Sequence, residues 1–200
     1  MSQAVTGIRH KEAEHSPTWG RFGFALSMLL PAAVIPIGIA VEGIDAISWA
    51  GAIVWGIVAT IVFTMVSLMG KAMGMTSMDL LDLLGSSVAR PHTRAAKALG
   101  GLIHHMNGAV LAVAWAYGAV LIGTSANWVS GAAWGAILWV LALLMMSTMG
   151  SVHPAIRRGE QDDPGPAATN FGTMTPVGSL MGHLVYGIVL GLTYNAWPLA

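Results

Sequence analysis

The sequence predicts an all-α polytopic membrane protein with five transmembrane helices. Three observations point there. Hydrophobic residues make up 55% of the 200 residues and charged residues only 9%, far from the balance of a water-soluble domain. Five apolar stretches reach the roughly 20 residues that a hydrocarbon core takes. With those five as crossings, all nine Lys and Arg residues fall on or at the edge of one side.

The same composition excludes several classes of function. Basic and acidic residues cancel, so no global charge steers a nucleic acid. There is no cysteine, which removes disulfides, thiolate metal sites and cysteine nucleophiles. No phosphate-binding loop, Ser-His-Asp order or pair of mid-span carboxylates is present.

Residues 1–21 are polar and read as a tail, without the apolar core of a signal peptide. The first span, about 22–43, contains Pro31 and Pro36 and is expected to kink. Residues 22–44 are expected to be an accessory helix. Ser48 is a candidate N-cap for the second span, about 49–70. "TSMDLLDLLG" (76–85) reads equally as a short helix on the membrane surface or as a helical loop packed on the bundle. The third span covers about 97–123, and "GTSAN" (123–127) turns it into the fourth, about 127–149. "GEQDDPGP" (159–166) reads as a solvated loop. Thr175 followed by Pro176 is a cap and a first helical residue for the fifth span, about 176–197. Arg9, Lys11, Arg21, Lys71, Arg90, Arg94, Lys97, Arg157 and Arg158 then share a side with the N-terminus. This places the N-terminus in the cytoplasm and the C-terminus outside a bacterial-type inner membrane. Trp49, Trp128 and Trp197 take the positions of an aromatic belt at the outer ends.

The chain also looks duplicated. At an offset of about 80 residues, Gly51, Met65, Ser67, Met69 and Gly70 match Gly131, Met145, Ser147, Met149 and Gly150; at nearly the same offset, His104 and Gly108 match His183 and Gly187. Residues 45–123 and 124–200 are therefore expected to be two tandem helical hairpins. They would pack as a four-helix bundle about a pseudo-two-fold axis along the membrane normal.

That symmetry would hold His104 and His183 at one depth, roughly two turns inside their spans. An ionisable residue within the bilayer is a functional candidate because a charge there is costly, and imidazole is the commonest metal ligand. Three readings stay open. In the first, His104 and His183 are axial ligands of haem b or another tetrapyrrole, with Gly108 and Gly187 one turn on admitting the macrocycle edge. That set of histidines and glycines resembles small four-helix b-type cytochromes, and the resemblance implies a subunit for membrane electron transfer. In the second, thioethers from Met65, Met69, Met145 and Met149 join the two histidines in a copper site, with His92 and His153 at its margin. In the third, no cofactor is bound, and His105 and Asn107 hydrogen-bond across helices in a structural or assembly subunit. A small-solute transporter would instead need a polar mid-span cavity, for which Thr64, Ser67, Asn107 and Ser147 are the candidates. In each case the expected partners are the lipid bilayer and either other membrane subunits or further copies of the chain.

Overall fold

A computed structural model describes residues 17–197 and 199. The expected tail lies largely outside these described residues. Among them the chain is all-helical: α1 Pro17–Glu42, α2 Trp49–Ala72, α3 Leu80–Gly85, α4 Arg94–Leu121, α5 Trp128–Thr148, α6 Pro154–Arg157 and α7 Thr175–Ala196, with short 3-10 turns between them. Four helical segments are long and apolar enough to cross a membrane: Thr18–Glu42, Trp49–Ala72, Trp128–Arg157 and Thr175–Ala196. The expected third span corresponds to α4. Its 28 residues extend about 42 Å, but His104, His105 and Asn107 dilute its apolar run.

Local chemistry accounts for the helix ends. Ser48 caps α2, its hydroxyl accepting from Gly51 N at 2.9 Å. Asn127 and Ser130 form a reciprocal capping box on α5. Thr175 departs from expectation. It is the first residue of α7, its side chain caps nothing, and its hydroxyl donates to Thr76 at 2.9 Å, tying α7 to the loop after α2. Helix α1 runs unbroken through Pro31 and Pro36. The segment 159–166 is also less free than its composition suggests, since Pro164 is fully buried and its carbonyl accepts from Asn170 N.

Glycine decides how closely the long helices approach. On α5 and α7, Gly131 faces Gly187 and Gly135 faces the His183 carbonyl, and a Cβ on any of these glycines would strike backbone. Gly56 and Thr60 of α2 meet Gly108 of α4 in the same manner. The contacts run in opposite directions along each pair, so α2–α4, α5–α7 and α2–α7 are antiparallel. Helix α3 packs on the bundle, with Gly85 and Leu81 against Ala96 and Gly100 of α4 and with Leu83 buried. Of the two readings of 76–85, this is the packed helical loop.

The arrangement is a ring in the order α1–α4–α2–α7–α5, which closes back on α1. In a symmetric bundle, the α2–α7 contact would have a counterpart between α4 and α5. Those two helices make few backbone contacts, and Trp134 of α5 bridges to α4 by donating Nε1–H to Leu111 O at 3.1 Å. The cytoplasm-facing half of α1 in the expected topology lies on α5, through Gly20 at Ser151 and Gly23 at Thr148. Its other half lies on α4, where Gly38 packs on the Tyr117 ring and the Tyr117 hydroxyl donates to Ile44 O at 3.1 Å. Helix α1 is thus a wall of the ring and not an accessory to it.

Candidate functional site

The ring encloses a chamber of about 240 Å³. One end is closed by the loop after α2, by Leu80 and Leu84 of α3, and by Ala168 of the 166–171 turn. The other end is closed by Leu138, Leu111 and Tyr186, residues of the main apolar core or packed against it. Tyr186 is held in place by donating to Gly108 O at 2.6 Å.

His104 and His183 both line this chamber, although they lie on α4 and α7, which are separated in the ring by α2. The ring of Phe63, from α2, stands at both imidazoles. Its centroid is 5.1 Å from that of His104 and 4.9 Å from that of His183, with edge-on geometry in each case. His183 Nδ1–H donates to Ser179 O at 2.8 Å. In the neutral ring this tautomer leaves Nε2 as a lone-pair acceptor. His104 Nε2 is buried and has no hydrogen-bond partner. Asn107 lines the same wall three residues on, one helical step from His104.

His105 was expected to bridge helices, but its Nδ1–H donates within its own helix to Gly101 O at 2.6 Å. His153 is buried with both ring nitrogens engaged: Nε2–H donates to Leu83 O at 3.0 Å, and Nδ1 accepts from Ile156 N at 3.4 Å. It caps α6 and is not free for a ligand. His92 lies at the ring's polar end, its Nδ1 3.0 Å from a buried Asp82 carboxylate oxygen. Of the polar candidates for a mid-span cavity, Ser67 and Asn107 line the chamber. Thr64 and Ser147 spend their hydroxyls on carbonyls of the preceding turn.

The structure does not bring the methionines into one ligand set. Met65 and Met69 point outward from α2, 61% and 55% exposed. The methionines matched to them in the sequence point inward, Met145 lining the chamber and Met149 packing with Leu83 and Met146. Among the described residues there is also no group of three or more His, Asp or Glu side chains placed to hold a metal. Gly108 and Gly187, expected to flank a macrocycle, are covered by α2 and α5 respectively. The two Phe63 distances put the imidazole centres at most about 10 Å apart. A linear bis-imidazole metal, with bonds near 2 Å, needs centres about 6–7 Å apart with nothing between them. The upper bound is compatible with that spacing, and the Phe63 ring stands beside both imidazoles.

Sequence reasoning missed Phe63 and Tyr186. The signal for Phe63 was present in the stripe Ala52, Gly56, Ala59, Thr60 and Phe63, which recurs at three- and four-residue spacing and is the buried face of α2.

The described residues define an all-helical bundle of membrane-crossing type, enclosing a chamber with two histidines on its walls. The chain belongs to the DUF6789 family, a family of unknown function, whose model matches residues 48–198. The match opens at the cap of α2 and leaves α1 outside it. No curated protein and no solved structure matches the chain.

Proposed function

We propose that the protein is an integral membrane subunit that holds a small cofactor in the chamber, with His104 and His183 as its anchoring groups, in the service of membrane electron transfer. The observation that carries this reading is the convergence of the two imidazoles on one enclosed space. One imidazole nitrogen there is buried without a partner, and in an apolar medium an unmet polar group costs several kcal/mol. A bound group that meets it recovers that cost.

In this reading α4 is a fifth crossing. Helices α2 and α5 both run antiparallel to α7, so they run parallel to each other. The 28 residues of α4 carry the chain back from the end of one to the start of the other. The N-terminus is cytoplasmic, since the basic residues Lys71, Arg90, Arg94, Lys97, Arg157 and Arg158 gather at the end where α1 begins.

The test is a protein purified in mild detergent, with its absorption spectrum, metal content and organic extract measured on one sample. We expect about one bound group per chain, released in the His104→Ala/His183→Ala variant while helical circular dichroism is kept. A chain with no chromophore, metal or extractable ligand overturns the proposal. A Soret band would identify the group as haem.

A further inference from the structure

The chamber has an entrance, and its position restricts what can enter. The loop after α2, α3 and the 166–171 turn line one end, and residues of the apolar core line the other. Of the lining residues, Met28 on α1 and Val110 on α4 are the exposed ones, at 38% and 45%. They mark the place where α1 leaves α4 to cross onto α5. Met28 lies ten residues into the first candidate crossing, about 15 Å along it, which is near the middle of a hydrocarbon core. The opening therefore faces lipid tails and not water.

The lining restricts the ligand further. No Lys, Arg, Asp or Glu lines the chamber, so a phosphate, a carboxylate or an ammonium head would be buried there without a counter-charge, at high cost. The polar groups present are neutral, and three of them bear on the ligand. His183 Nε2 accepts a hydrogen bond because Nδ1–H is held by Ser179 O. The Asn107 amide and the unpartnered His104 Nε2 stand on the facing helix. The walls between them are aromatic and aliphatic.

We infer that the chamber takes an isoprenoid quinol from the bilayer through a lateral opening between α1 and α4, with a ring hydroxyl donating to His183 Nε2 and the tail lying out past Met28 and Val110. The inference rests on the cofactor-holding reading above and names the cofactor's class. A neutral hydroxylated ring meets both imidazoles without a charge, and its tail matches an opening at mid-depth. The oxidised quinone offers carbonyls only and cannot donate to His183 Nε2, so the reduced form binds better.

The experiment uses the full chain in lipid nanodiscs, titrated with decylubiquinol, with decylubiquinone, and with laurate as a charged-head control. We expect saturable binding of about one quinol per chain. The preference for quinol over quinone should be about 3–10-fold, the value of one hydrogen bond, and should vanish in His183→Ala. Val110→Trp, which narrows the opening, should weaken binding at least tenfold, about 1.4 kcal/mol. Leu102→Trp, on the exposed face of the same helix and away from the chamber, should bind as the parent does and controls for the added indole. Equal binding of laurate, no saturable quinol binding, or equal loss in the two tryptophan variants overturns the inference. A haem or metal found in the chamber of the same preparation overturns the quinol alone and leaves the cofactor-holding reading standing. A chamber that carries nothing and binds no probe overturns both.

Discussion

Gly187→Ala separates two roles for one residue: bedding a macrocycle beside His183, or setting the distance between α5 and α7. In the structure, a Cβ at Gly187 lands on the Gly131 carbonyl, 2.6 Å from its carbon and 3.2 Å from Ala132 N. Carbon atoms in ordinary contact stay about 3.4–4 Å apart, so α5 must withdraw by about 1 Å. Overpacking of this kind costs about 1–3 kcal/mol, and it strains the Trp139 Nε1–Pro176 O bond of 2.9 Å across the same interface. Against it stands the gain of Ala over Gly within a helix, about 0.5–1 kcal/mol. The net expectation is a loss of about 1–2 kcal/mol. Gly101→Ala supplies the baseline, because a Cβ there meets nothing within 4 Å; that variant should be neutral or slightly stabilised. Reversible unfolding in mixed detergent, read by circular dichroism, compares the two. The reasoning fails if Gly187→Ala is as stable as Gly101→Ala. It also fails if the variant loses a bound chromophore with no loss of stability, which would return Gly187 to the role of cofactor bed.

Three further expectations follow from named contacts. Tyr186→Phe removes the buried donor to Gly108 O and should cost about 0.6–1.5 kcal/mol in the same unfolding assay; no change would mean that the bond is dispensable. Asp82 is almost wholly buried and accepts from His92 N at 2.8 Å and Gln161 Nε2 at 3.3 Å. Asp82→Ala therefore removes the acceptor of two part-buried hydrogen bonds, at about 0.5–1.5 kcal/mol each, and should speed proteolysis at 86–93; an unchanged cleavage pattern refutes that role. Asp79 titrates at about 2: partial burial pushes its carboxyl up, and hydrogen bonds from Lys97, the Asp82 backbone and Lys71, with the Lys71 charge, outweigh it. Its folded value lies below its ordinary 3.8, so its contribution is complete above about pH 4 and fades as pH falls towards 2. Asp79→Asn should flatten that part of the acid stability profile, and a profile identical to the parent's would remove Asp79 from the linkage.

Hydropathy and caps carry most of the fold in the sequence, because each is a local quantity. The apolar runs mark four helices of crossing length within a few residues, and Ser48 marks the start of one of them. What stayed hidden depends on contacts between distant segments. Thr175 looked like a cap because Pro176 follows it, yet its hydroxyl goes to Thr76, a partner that no local pattern names. His105 and His104 are neighbours with the same side chain. Only the packing of α2 and α7 shows that one is satisfied within its own helix and the other faces the chamber. The glycines were noticed for close approach, and in the structure the neighbours at Gly108 and Gly187 are α2 and α5.

The duplication expected from the sequence is compatible with the asymmetry of the bundle, and the reason lies in α1. Each hairpin keeps its own close contact, α2 on α4 and α5 on α7. The methionines show where equivalence ends, since Met69 is 55% exposed and its mate Met149 only 3%. Met69 ends a helix with no neighbour on that side, whereas Met149 is covered by α3 and the 166–171 turn, elements of two unlike loops. A symmetric bundle would close α4 onto α5 and remove the lateral opening. Helix α1 instead crosses from α4 to α5, the Trp134 Nε1–Leu111 O bond spans the two directly, and Pro31 lines the chamber. The helix that lies outside the duplicated pattern and outside the family match is therefore the one that makes the mouth of the site.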